Sequence, residues 1–492
     1  MILTDELIFQ YRRCDRKAFL NYYCKEDEKP QPRDFVAKLK QENILHCQNL
    51  LNHLQLSYQQ PQTLWHDTSG IIAETLELMA KGAECIYDGK LSTFWYYDLN
   101  LPPVEMVINP TLLIRQNQPS HFGNWSYRGV NCHLGKNPKP EYKLISALQT
   151  AIIGDIQGNH LNHGEFVVRS LKIHRVSLAI WLPKVKELVK ELVILLQSQE
   201  IPEVFVSRQK CHLCNWHDDC YSSARHLNHL SLIPGITPQR YQLLVNQGIK
   251  DFESLAELSA FELAQIIDHP TIADNLYLQV RALKLNQGVA KIFPLPTIPH
   301  STIELYFDIE AEPERNLDYL LGVLLVDHEQ QEQRYYYFLA KDKTEEGKAW
   351  GEFLQFMEQW RGALVYHYSE YEVETIKRLA HLYHTPPAIL QPLLSRLVDV
   401  HKIITRNYVL PVESYSLKSL AKWLNFHWRT PETGEINVNG RLLGGDQCVV
   451  WYDQWLTTGN PDYLQYILTY NEDDCRATYV VKNWLQNQGL VN

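Results

Sequence analysis

Asp308 and Glu310 close an apolar run, Ile303-Glu-Leu-Tyr-Phe-Asp-Ile-Glu310. Its aromatic and β-branched residues predict a buried strand. Residues two apart in a strand share a face, so the two carboxylates project side by side. Like charges that close repel and resist desolvation unless a cation lies between them. The pair therefore predicts capture of a divalent metal. Far along the chain, Tyr470-Asn-Glu-Asp-Asp474 lies in a segment with helical periodicity through Leu464, Ile467, Leu468, Val480, Trp484 and Leu485. A spacing of four puts Tyr470 and Asp474 on one helix face. Between the two comes Leu364-Val-Tyr-His-Tyr-Ser-Glu-Tyr371-Glu372, an apolar strand running into a turn or helix that carries Glu372.

In this order the three segments resemble the motifs of the DEDD exonucleases, tyrosine subclass, on an RNase H-like fold. Asp308 and Glu310 match Asp-x-Glu, Tyr368 to Glu372 stands for Asn-x-x-(Phe/Tyr)-Asp, and Tyr470 with Asp474 matches Tyr-x3-Asp. Glu372 replaces the family's Asp, offering the same two hard oxygens on a longer stem. The resemblance covers roughly residues 300 to 490. It implies that Asp308, Glu310, Glu372 and Asp474 hold two Mg²⁺ or Mn²⁺ ions for phosphodiester hydrolysis. It further implies that Tyr470 orients the attacking water and that digestion runs 3′ to 5′. Asp473 would point off the active face, Asp399 would order structure, and Ser416-Leu-Lys418-Ser-Leu420 could bring Lys418 near the substrate.

The second chemical signal is in the cysteines, ten in all. Cys211, Cys214 and Cys220 follow a C-x2-C-x5-C spacing, and Cys14 stands nearly two hundred residues earlier within a basic segment. Four soft thiolates suit Zn²⁺ or an iron–sulfur cluster. One cysteine before a domain and three after it resembles the iron–sulfur staple of RecB-like nucleases, which favours a [4Fe-4S] cluster. A zinc site using His212 or His217 is the alternative. That family's PD-(D/E)xK site would lie between the cysteines. The aligned strands, Val107 to Arg115 and Trp125 to Lys136, instead carry Thr111, Asn131 and His133 where two acids and a lysine belong. Gln149 is kept, Ile153 replaces a common tyrosine, and His46 matches the histidine motif. Neutral Thr and Asn are poor ligands for hard cations, so a restriction-endonuclease-like fold with a decayed site is expected. A site rebuilt from Glu105, Glu141 or Asp155 is the alternative. Arg128, Lys136, Lys139, Lys143, Arg169, Lys172 and Arg175 could grip a phosphate backbone.

These residues need at least two positioning scaffolds, and 492 residues supply two or three domains. The expected class is α/β and multidomain. Residues 1–225 form the RecB-like domain, 226–298 a small helical middle with linker, and 299–492 the RNase H-like domain. In the middle, Leu230-Ser-Leu-Ile-Pro-Gly-Ile236 between two helical patterns resembles a helix-hairpin-helix, whose glycine turn offers backbone N–H groups to a phosphate. Pro294, Pro296 and Pro299 mark the linker.

From Ser301 onward there are 27 acids and 17 bases; the rest of the chain is balanced, so the net charge of −10 belongs to the C-terminal domain. Bound metal and local basic grooves can still bring nucleic acid to such a domain. No apolar run is long enough to span a bilayer. Met1-Ile-Leu-Thr-Asp-Glu is unlike a signal peptide, and a cytoplasmic protein is expected. No P-loop occurs, so any helicase would be a separate partner. The three-part order resembles bacterial RecB-like nucleases with a YprB-type RNase H-like C-terminus. The expected function is a metal-dependent 3′–5′ exonuclease on DNA or RNA. The alternatives are a catalytically silent nucleic-acid-binding partner of a helicase or repair complex, and a nuclease using the N-terminal site.

Overall fold

The computed structural model describes residues 1–429 and 444–488. The chain divides into two compact units, Met1–Val204 with Arg208–His217, and Phe205–Ser207 with Asp218–Asn492. Both mix helices and sheets.

The first unit holds a six-stranded sheet and a three-stranded one. In the larger, Leu112–Gln116 pairs antiparallel with Ser126–Cys132, which pairs parallel with His163–Val167. The helix Pro140–Gln157 joins the last two of these strands and is buried along most of its length. The continuous strand expected over Val107 to Arg115 is two strands, Val104–Ile108 and Leu112–Gln116, in different sheets. Pro110 has no N–H to continue a ladder, and the Asn109 N–H is already donated to Asp5 Oδ2 at 2.8 Å.

In the second unit, four helices, Pro238–Asn246, Phe252–Ala256, Ala260–Ile267 and Pro270–Leu285, close over a small core of Leu230, Tyr241, Leu244, Leu255, Leu263 and Leu276. The helix expected just ahead of Pro234-Gly235 is a single 3₁₀ turn, Leu230–Leu232. Asn228, at φ 47°, breaks the chain out of the preceding helix, and the His229 ring caps the turn by accepting from Ser231 N.

The same unit contains a five-stranded mixed sheet in the order Glu332–Leu339, Leu317–Asp327, Ile303–Glu312, Leu364–His367, Leu397–Asp399. The first three strands are antiparallel, and the last two run parallel to the central Ile303–Glu312. Odd residues of the central strand, Leu305, Phe307 and Ile309, pack on the helices Glu346–Gln359 and Tyr371–Leu382 through Trp350, Phe353 and Ile376. The even residue Tyr306 belongs to a second core, built with Cys475, Ala477, Val481 and Leu485 of the helix Pro461–Gln488. Glu304, Asp308 and Glu310 share that even face by the two-residue alternation of a strand. The long helix supplies Asp474 at one end of the strand and Lys482 at the other. Eight helical residues rise about 12 Å and four strand residues about 13 Å, so the spans match.

Candidate active site

Asp308, Glu310 and Asp474 converge, each offering an oxygen within 4.8 Å of the others. A register shift between Glu310 and Ala311 interrupts the central strand beside them, as bulges often do next to sites. Glu310 is buried at 5% exposure, whereas Asp308 and Asp474 keep part of their surface in solvent. Burial raises the Asp308 carboxyl well above its usual range, and the charges of Asp474, Glu310 and Glu372 add to it. Burial, then Asp474, raises Glu310 likewise. Asp474 is pushed to about 6, by burial first, against the opposing pull of Lys418. Crowded acids of this kind are stabilised by a divalent cation, and three carboxylates suit Mg²⁺ or Mn²⁺.

The surrounding donors are specific. Tyr470 hydrogen-bonds Asp474, and Trp428 Nε1 donates to Asp474 Oδ1 at 2.7 Å. Asn471 Nδ2 donates to Asp308 Oδ2 at 2.8 Å. The Lys418 ammonium lies 4.6 Å from the centre of the Tyr470 ring and lowers both Glu310 and Asp474. Asp473 turns away, taking Arg429 Nε at 2.7 Å. Asp399 ends its strand and caps the next helix through Lys402 N.

Glu372 sits in the first turn of Tyr371–Leu382, buried, with Ser369 Oγ 3.2 Å from its Oε2 and His367 Nδ1 at 3.6 Å. Ser369 holds φ at 131°, a conformation that L side chains rarely adopt. The Glu372 charge reaches Asp308, yet the Glu372 carboxylate stands outside the group of three.

Residues 305–486 match the family model RNase_H_2, described as the RNase H superfamily. The C-terminal region is RNase H-like. Such a region implies in general a metal-dependent nuclease, with nucleic acid as its substrate. No curated protein matches the chain.

At the other end of the same strand lies a second cluster, His300, Glu304 and His328. Glu304 is fully buried, and its oxygens meet Lys482 Nζ at 2.5 and 2.6 Å, His300 at 2.9 Å, His328 at 2.8 Å and the Tyr306 hydroxyl at 2.6 Å. These partners outweigh the cost of burial and lower Glu304 to about 2. Lys482 already supplies the cation, so this cluster is a structural ion pair.

In the first unit, the positions aligned with a nuclease site lie in a chain of hydrogen bonds that ends on a buried carboxylate. Thr111 N donates to Asn131 Oδ1, Asn131 Nδ2 to Gln149 Oε1, and Gln149 Nε2 to Asp5 Oδ2, at 3.3, 2.6 and 2.6 Å. Asp5 is raised by burial; no local spacing or motif marks it as the end of this network. His133 stacks on Tyr142 at 3.8 Å, and burial lowers it to about 4. His46 and Ile153 are buried. Glu105 bonds Ser92, Asp155 faces His160 at 3.6 Å, and Glu141 lies in the first turn of Pro140–Gln157. Among the described residues, these acids form no metal-holding group. Arg128 and Arg175 both pair with Glu165, while Lys139 and Lys143 lie near the Tyr142 and Trp181 rings.

Cys211 and Cys214 lie close enough to Cys14 for their charges to add to the rise that burial gives its thiol. Cys220 belongs to the second unit. Among the described residues the close-packed ligand groups are the two above, and neither contains a cysteine. No described helix is long and apolar enough to cross a membrane.

Proposed function

We propose that the RNase H-like region is a 3′–5′ exonuclease of the DEDD tyrosine type, resembling the YprB-type domains. The observation that carries this reading is the convergence of Asp308, Glu310 and Asp474 from a strand and a distant helix. Mg²⁺ or Mn²⁺, when bound, supplies Lewis-acid activation of water and stabilisation of the leaving oxygen. Asp308, Glu310 and Asp474 would hold the metal, with Glu372 completing the set from the neighbouring helix. Tyr470, hydrogen-bonded to Asp474, orients the attacking water. Lys418, whose charge acts on the same acids, offers a cation to the backbone phosphate.

The first unit serves as a RecB-like platform without its own chemistry. The neutral Thr111–Asn131–Gln149 network, filled in where acids would bind metal, supports this. Cys14, Cys211 and Cys214 of the first unit are soft donors fit for a [4Fe-4S] cluster or Zn²⁺, and their closeness favours that use. In the helical segment, Gly235 at φ 93° stands open ahead of the helix Pro238–Asn246, a placement suited to a phosphate contact of the helix-hairpin-helix kind. A separate helicase would supply unwinding.

The test is digestion of 5′-labelled single- and double-stranded DNA and RNA with Mn²⁺, comparing wild type with Asp308→Ala. A ladder shortening from the 3′ end and lost in the variant is expected. Cleavage surviving Asp308→Ala moves the chemistry to the first unit. No cleavage of any substrate favours a silent nucleic-acid-binding protein.

A further inference from the structure

Asn471 lies one residue beyond the tyrosine of the Tyr-x3-Asp spacing, and it is fully buried. Its Nδ2 donates to Asp308 Oδ2 at 2.8 Å, and its side chain also bonds Glu310. Its Oδ1 accepts from the Tyr335 hydroxyl at 2.8 Å. Gly322 sits directly across the sheet from Asp308. A Cβ at that glycine would stand 1.6 Å from Asn471 Oδ1. The carboxamide therefore reaches the acids through a gap that a glycine leaves open.

A carboxamide has two N–H donors on one side and an acceptor oxygen on the other. Turned the opposite way, its oxygen would face a carboxylate and its N–H groups would lose both acids. The acids and Tyr335 thus select one orientation from both ends. We propose, resting on the metal-dependent reading above, that Asn471 is a positioning residue for the Asp308–Glu310 pair. It occupies one inner lone pair of each acid without adding charge, and so fixes the rotamers that leave their other oxygens facing the cation. Tyr335, on the outer strand Glu332–Leu339, locks the carboxamide in turn. Hydrogen-bonded carboxylate ligands depend on such outer partners for their affinity.

The experiment is Mn²⁺ titration of the full chain followed by electron paramagnetic resonance, on wild type, Asp308→Ala, Asn471→Ala and Tyr335→Phe. Metal-free melting temperature and Mn²⁺-dependent hydrolysis are measured alongside. Asn471→Ala is expected to weaken Mn²⁺ binding by about 10- to 100-fold, and Tyr335→Phe by a smaller factor. Hydrolysis by Asn471→Ala recovers as Mn²⁺ is raised, a rescue that a merely structural defect would not give. Wild-type affinity in Asn471→Ala, or a loss that Mn²⁺ does not restore, overturns the proposal. Should Asn471→Ala fail to fold, Tyr335→Phe decides, since it removes one hydroxyl and keeps the ring; wild-type affinity there overturns it. Equal Mn²⁺ binding by wild type and Asp308→Ala sinks the metal-dependent reading and this inference with it. Binding lost in Asp308→Ala but intact in Asn471→Ala sinks this inference alone.

Discussion

One strand, Ile303–Glu312, carries acids on the same face at both ends, and the two ends treat them in opposite ways. At Glu304 the charge is met inside the fold: a buried lysine touches both oxygens, and two histidines and a tyrosine take the remaining lone pairs. At Asp308 and Glu310 the acids meet more acid, from Asp474 and Glu372, and Lys418 opposes the charge only on Glu310's and Asp474's side of the group. The same helix supplies the partner in each case, Lys482 at one end and Asp474 at the other. A buried charge with its counter-charge built in is structural. Crowded acids without enough counter-charge await an external cation, and the cost of holding them apart from it is borne by the rest of the fold.

The comparison can be broken most severely at the paired end. Lys482→Met should cost about 3–5 kcal/mol, because it strands a buried carboxylate without its cation; urea unfolding that shows a loss under 1 kcal/mol would refute the structural role. Acid is a gentler route to the same result. Glu304 is held at about 2, against 4.5 for a free carboxyl. Its contribution is fully present above pH 4.5 and is lost as pH falls towards 2. On Glu304 alone that is at most about 3 kcal/mol. The net is smaller, because burial also lowers Lys482 and works against its charge. The double variant Glu304→Gln/Lys482→Met should therefore lose less stability than wild type between pH 5 and pH 3.

The crowded end should respond with the opposite sign. Asp308→Asn removes one of the repelling charges and should stabilise the metal-free protein by about 1–2 kcal/mol while abolishing hydrolysis. Saturating Mn²⁺ should then raise the melting temperature of wild type and leave the variant unmoved. The smallest expected effect is at Trp428, whose indole N–H orients Asp474. Trp428→Phe should lower Mn²⁺ affinity about 10-fold or less, with unfolding free energy changed by about 1 kcal/mol; an unchanged affinity would make that hydrogen bond incidental.

Much of the RNase H-like region is legible in the residues because its signals are local. Alternation over Ile303 to Glu310 gives the strand and puts both acids on one face, and the four-residue spacing of Tyr470 and Asp474 gives their shared helix face. Asp473, one residue off that spacing, turns to Arg429 as expected. The signals fail where a partner is far away in sequence. Asn471 reads as a spacer until Gly322, across the sheet, is seen to make room for it. Lys482 and Asp5 likewise carry no local cue to the buried partners they meet, Glu304 and Gln149. The strand expected through Asn109-Pro110 was broken by a proline whose cue is local, but the switch between two sheets is not.

Side-chain chemistry and backbone period are properties of short stretches, so the chain alone already offers hard oxygen donors and says which face of each element presents them. The tertiary structure alone decided that Asp474 falls beside Asp308 and Glu310, that Lys482 neutralises Glu304, and that Glu372 stands just outside the group of three. Those outcomes depend on how a long helix is laid antiparallel along one strand, and that register is set by packing over many residues at once.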